Sequence, residues 1–163
     1  MPKALLLRIC RYGATHDGYD YQDQRPDPGY FAMAMRRALA DARLTADDID
    51  VVYADGAGTP ELDRLEILAL QDVFGARRRP VPVTAPQGLI GRLSAGGSAL
   101  NAVNAVLSIR DGLVPAVGNL DQPLDDCPVD LVRETRELPI RAVMINSRGY
   151  GGFNSSLIIT APR

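Results

Sequence analysis

The stretch RAVMINSRGYGGFNSSLIIT, residues 141–160, decides how the rest of the chain is read. Two apolar, β-branched runs, Arg141 to Asn146 and Ser155 to Thr160, flank a glycine cluster that reads as a tight turn, so they are two adjacent strands. Working outward, Ile49 to Ala54 is a further buried-type strand closed by Gly56. Val81 to Thr84 is a short strand that its flanking and internal prolines place at the periphery of the sheet. Leu5 to Cys10 is an apolar run ending near Gly13, read as a strand followed by an exposed loop to Gly29. Between these runs the period changes to that of a helix. Phe31, Met35, Ala38 and Leu39 recur at helical spacing from Tyr30 to Arg43. Glu61 to Phe74 puts Leu62, Leu65, Leu68 or Ala69, and Val73 on one face, carries acids in its first turn and stops at Gly75. Ser94 to Arg110 is helical in period but poor in side-chain bulk, which predicts a helix buried on several sides. Thr45 to Asp48 is a turn or a single helical turn. Strands alternating with helices predict an α/β domain over residues 1–163, with about five strands in a mixed, mostly parallel sheet, one antiparallel member and three main helices.

Composition narrows the function classes. Of 163 residues, 46% are hydrophobic and 23% charged, an ordinary globular balance. With 18 basic against 20 acidic residues, neither nucleic acid nor an anionic membrane is an expected partner. Arg77-Arg78-Arg79 is a short basic run between a helix and a proline and reads as a solvated connection. Cys10 and Cys127 lie too far apart, and too far from the single histidine, to form a zinc site or a disulfide framework. No metal or cofactor is expected, and a reducing cytoplasm fits. The first apolar run, Ala4 to Leu7, is too short for a signal peptide or a membrane span.

Three loops stand where α/β proteins place their sites. They are Asp55-Gly56-Ala57-Gly58-Thr59 after a strand, Gly91-Arg92-Leu93-Ser94-Ala95-Gly96-Gly97 before the small-residue helix, and the 146–154 turn. The chemistry is notable for what it lacks. Nucleophilic catalysis needs an activated Ser, Cys or Lys beside a base, and acid-base work near neutral pH usually needs a histidine or a perturbed carboxylate. His16 sits in a polar stretch beside Asp17 with no partner motif, and reads as a surface histidine. Cys10 in an apolar strand and Cys127 in an acidic loop are both poorly placed to form a thiolate.

Together and in this order the three loops resemble the C-terminal half of the β-ketoacyl synthases. There a His-Gly-Thr-Gly-Thr loop follows a strand, a Lys and a Gly-His-Leu loop precede a small-residue helix, and an Asn-Ser-Phe-Gly-Phe-Gly-Gly turn joins the last strands. The resemblance extends to Tyr12-Gly13-Ala14-Thr15, to Met35 through Ala42, and to Leu107 through Gly112. It implies a thiolase-like fold. At the family's catalytic histidine, lysine and second histidine, however, this chain carries Asp55, Gln87 and Arg92. The first aromatic of the last turn falls at Arg148. The second, resembling the position that gates the acyl pocket, is Tyr150.

A carboxylate at Asp55 would repel the negative charge of an enolate or oxyanion, and Arg92 cannot act as a base at neutral pH. Opposite charges at these two positions imply an internal ion pair filling a dead pocket. Lost histidines with retained glycines are similar to the chain length factors, the non-catalytic partners of ketosynthases in type II polyketide synthases. The resemblance therefore implies a subunit without catalytic residues, supporting assembly and the acyl-chain cavity of a 3-oxoacyl-acyl-carrier-protein synthase-type complex. Gly56, Thr59, Asn146, Arg148, Tyr150, Gly151 and Gly152 would shape the old pocket. Ser94, Gly97 and Ala99 would face a partner. The implied partners are an N-terminal thiolase-like half on a separate chain, a catalytic ketosynthase and, through the complex, an acyl carrier protein. Two other readings stay open: an acyltransferase or decarboxylase half completed by a partner's cysteine working with Arg92 or Asn146, and a free-standing ligand-binding domain.

Overall fold

The computed structural model of the chain describes residues 8–125 and 127–162, with the backbone alone for residues 8–10. In chain order the elements are β1 (Arg8–His16), α1 (Gly29–Ala42), β2 (Val51–Tyr53), α2 (Pro60–Phe74), β3 (Pro82–Thr84), α3 (Gly97–Asp111), β4 (Leu113–Val114), β5 (Asp130–Leu131), β6 (Arg136–Glu137), β7 (Ala142–Arg148) and β8 (Phe153–Thr160). Six strands form one sheet in the order β1-β8-β7-β2-β3-β5, and β4 and β6 form a separate ribbon. Strands β7, β2, β3 and β5 are parallel, while β8 runs antiparallel to both β7 and β1, and so is the one reversed strand.

The alternation of side chains along the strands supplies two cores. On one face Val52, Val83, Met144 and Ile158 pack under Phe31, Met35 and Leu39 of α1 and Leu70 and Phe74 of α2. On the other, Val51, Tyr53, Val143, Ile145 and Ile159 pack against Ala105 of α3, with Val114, Val132 and Ile140. Tyr53 is fully buried there, and its hydroxyl is satisfied by Ser108 Oγ at 2.7 Å. Two helices thus cover the first face and a single helix the second.

Several expectations need correction. The main sheet has six strands among the described residues, because the proline-punctuated segment after α3 contributes the two-residue β5. That strand lies outside β3, so β3 is not at the edge; Pro82 pairs with Asp130 and Val83 with Leu131. Of the apolar run read as the first strand, Leu5 to Leu7 lie outside the described residues, and β1 continues to His16. Gly13 is therefore no turn residue. It pairs with Ser156 in mid-strand, and α1 crosses it so closely that a Cβ would sit 2.2 Å from the Ala34 carbonyl oxygen. The buried stripe of α2 is Glu66, Ala69, Leu70 and Phe74, with Leu68 exposed, so the helix is rotated from the all-leucine face. The small-residue helix is not enclosed either. α3 buries Asn101, Ala105 and Ser108 and leaves Val103 and Leu107 exposed. Finally, Arg77 is more than a solvated residue: its Nη1 donates to the carbonyls of Ala46 at 2.7 Å and Ile49 at 2.6 Å, tying the end of α2 to the entry of β2.

Candidate functional site

The three loops meet at the C-terminal ends of β2, β3 and β7, the usual place for a site in a parallel sheet. Beyond β2, the Ala54 N–H still donates to the Thr84 carbonyl at 2.8 Å, which fixes the level at which Asp55 leaves the sheet. Two buried side chains then clamp the turn. Glu66 from α2 accepts the Asp55 N–H at 2.9 Å on Oε1 and the Gly56 N–H at 3.0 Å on Oε2. Gln87, in a 3-10 turn after β3, donates from Nε2 to the carbonyls of Ala54 at 2.7 Å and Asp55 at 2.6 Å. Between them, Glu66 and Gln87 satisfy backbone donors and acceptors that a sharp departure from the sheet would otherwise leave unpaired.

The carboxylate of Asp55 is almost buried and has partners on two sides. Arg92 Nη2 lies 3.2 Å from its Oδ2, and the Arg148 N–H donates to Oδ1 at 3.0 Å. The guanidinium of Arg148 stands further back, its Nε 3.8 Å from Oδ2. Arg148 is the last residue of β7 and is fixed by Nη2 donating to the Leu62 carbonyl at 2.6 Å and by stacking 4.9 Å from the Phe31 ring centroid. Arg92 is the exposed member: 39% of its side chain is accessible, against 3% for Arg148. Its Nη2 also donates to the Arg148 carbonyl at 3.0 Å. Asn146 completes the floor, receiving a hydrogen bond from Ser156 Oγ at 2.8 Å and reaching toward Glu66 Oε1 at 3.4 Å.

Burial pushes the Glu66 carboxyl above its ordinary range, while the positive charge of Arg148 pulls it back and the negative charge of Asp55 adds to the rise. Burial likewise raises Asp63, which accepts the Gly58 N–H at 3.2 Å. What remains open between Asp55, Gln87, Arg92, Asn101, Asn146 and Arg148 is a cleft of about 20 Å³, room for roughly one water molecule. Among the described residues no group of three or more metal-ligating side chains is present, and no helix is long and apolar enough to cross a membrane.

The remaining expected residues scatter. Ser94, in the 3-10 turn before α3, and Gly97, the first residue of α3, line the same cleft, whereas Ala99 points to solvent. Gly56 lies behind the clamp, facing a different cavity. Thr59 is exposed at the start of α2, where its carbonyl accepts the Asp63 N–H. Tyr150 is 87% exposed and lines a separate surface cleft with His16, Tyr19, Tyr21 and Phe153. Gly151 and Gly152 carry the chain back with φ of 68° and 87°, a region that favours glycine. Behind them the buried Asp17 accepts Asn154 Nδ2 at 2.6 Å. His16 is exposed, its ring edge-on to Phe153. Sequence reasoning missed Glu66 and Asp17. For Glu66 a signal existed, since it shares the i, i+4, i+8 stripe with Leu70 and Phe74.

Comparison with known proteins places this arrangement in a class. The profile of the β-ketoacyl synthase C-terminal domain matches residues 6–121, and the chain belongs to that family. It is 44% identical over 153 residues to the tetracenomycin polyketide synthase ketoacyl synthase beta subunit of Streptomyces glaucescens, covering 93% of this chain and 36% of that protein. It is 33% identical over 157 residues to 3-oxoacyl-acyl-carrier-protein synthase 2 of Coxiella burnetii, covering 96% and 38%. Among solved structures, the ishigamide ketosynthase/chain length factor superposes with a TM-score of 0.89 at 30% identity, over 97% of this chain and 38% of that one. The fold is thus the C-terminal part of a thiolase-like ketosynthase fold, and the expected likeness to the chain length factors of type II polyketide synthases holds. The chain spans little more than a third of the length of these relatives.

Proposed function

We propose that this chain is the C-terminal half of a chain-length-factor-like subunit of a type II polyketide synthase, without catalytic residues of its own. One observation carries the reading. The position that resembles a catalytic histidine is occupied by Asp55, whose carboxylate is engaged by Arg92 and by the Arg148 backbone within a cleft of about 20 Å³. A site that stabilises an enolate or oxyanion needs hydrogen-bond donors aimed at empty space where the charge develops. Here little of that space is left, and the anion belongs to the protein. The relative named a ketoacyl synthase beta subunit and the neighbour titled a ketosynthase/chain length factor support the same role. In this reading the other half of the thiolase-like fold completes the subunit, which then supports the acyl cavity of a catalytic ketosynthase served by an acyl carrier protein.

The test is reconstitution with ketosynthase and carrier protein, comparing Asp55→Ala and Arg92→Ala with the parent chain. A scaffold loses assembled complex while turnover per assembled complex stays constant. Lost turnover in a fully assembled complex would instead assign these side chains a chemical role.

A further inference from the structure

On the side of Glu66 away from Asp55 lies a second and much larger cavity, of about 400 Å³. That size falls within the range of small-molecule sites. Its walls are mostly apolar, with Ile67 and Leu70 from α2, Val83 from β3, and Val117, Leu120 and Leu124 from the segment that leads to β5, and with Thr84, Asn119 and Gln122 as neutral polar members. Among the described residues its titratable acids are Asp63 and Glu66, and no lysine or arginine lines it. The clamp on Asp55-Gly56 engages both Glu66 oxygens, whereas Asp63 is held by the N–H groups of Gly58, at 3.2 Å, and Ala57. A carboxylate has about four acceptor sites, so Asp63 retains capacity for a donor inside the cavity.

We propose that this cavity is a binding site for an amphiphile with a short alkyl chain and a primary ammonium group, the chain lying along Ile67, Leu70 and Leu124 and the ammonium on Asp63. The charge of the lining selects the head group: a carboxylate ligand would meet the Asp63 carboxylate and, among the described lining residues, no lysine or arginine. The apolar walls select the tail, because an ammonium ion alone gains nothing from them. The site shares Glu66 with the degenerate pocket but needs neither Arg92 nor an acyl substrate, so it stands apart from the role proposed above.

Octylamine, 1-octanol and octanoate are suitable probes, titrated by isothermal calorimetry into the chain alone and into the reconstituted complex. Octylamine binds both preparations, octanol binds more weakly and octanoate does not bind. Asp63→Asn lowers the octylamine affinity by about ten-fold, as loss of one charge-assisted hydrogen bond would, and leaves octanol unchanged. Ile67→Trp, which fills the cavity, abolishes both, with circular dichroism reporting whether that variant folds. Should it not fold, Val117→Phe obstructs the opposite wall. Equal binding of octanoate and octylamine would overturn the proposal, and so would binding unaffected by either filling variant. Binding to the chain alone that disappears in the complex would also overturn it, identifying the cavity as a surface that the rest of the fold fills.

Discussion

At the scale of single residues, the two charges read from sequence as a pair turn out to be unequal. Asp55 is 8% exposed and has three contacts with Arg92 and Arg148, whereas Arg92 is 39% exposed and reaches over the cleft from outside. Arg92→His should therefore cost no more than about 1 kcal/mol, the range of exposed ion pairs. Asp55→His leaves the buried Arg148 without its carboxylate and should cost about 3 kcal/mol. Chemical denaturation of both variants checks the order, and neither should gain condensation activity in the reconstituted complex. Glu66 sets a pH dependence. Its carboxyl is held above the ordinary 4.5 by burial, so the folded state keeps a proton that the unfolded chain has released. Its contribution to stability is complete below the unfolded pKa and is lost as pH rises through the folded one. Urea midpoints measured across that interval should fall with rising pH in the parent chain and change less in Glu66→Gln. Asp55, Gln87 and Arg92 were legible in sequence because loop motifs are local. The roles of Glu66 and Arg148 were not, since both depend on partners from other elements: backbone N–H groups of the β2 turn for one, the Leu62 carbonyl and Phe31 ring for the other.

At the scale of elements, local periodicity located all three helices and the strands of the final hairpin, because an apolar repeat and its glycine stops are written in adjacent residues. It failed where a neighbour decides. The face of α2 is chosen by the need to bring Glu66 to two backbone donors, and the Arg36–Asp72 ion pair at 2.8 Å ties its outer side to α1. The position of β3 is decided by β5, two residues with no apolar pattern of their own. Gly13 illustrates how firmly α1 lies on β1. Gly13→Ala would drive a methyl group into the backbone of Ala34 and Ala38, where only a shift of the whole helix gives room. The expected loss is about 1–3 kcal/mol, measurable as a lowered denaturation midpoint with little change in far-ultraviolet circular dichroism.

At the scale of the whole molecule, the imbalance between the two faces of the sheet bears on assembly. One helix covers the second face, and its outer side presents Val103 at 55% and Leu107 at 39% exposure beside the small, exposed Ala99. Ala99 points to solvent in the chain itself, so Ala99→Leu should leave the isolated chain as stable as before. Association with a thiolase-like half through this face should weaken by about 1–3 kcal/mol if close helix approach is required. Sedimentation of the mixed halves, beside denaturation of the single chain, separates the two effects. The pairing of β1 with β8 has a consequence of another kind. Arg8 lies opposite Thr160 and His16 opposite Phe153, so β1 is held by the strand farthest from it in the sequence order of the sheet. During synthesis β1 and the helix resting on it must wait, with their apolar sides uncovered, until β8 has emerged. A topology closed by such distant contacts forms slowly and is open to misassembly in the interval, which makes the nascent chain, more than the finished one, a client for chaperones.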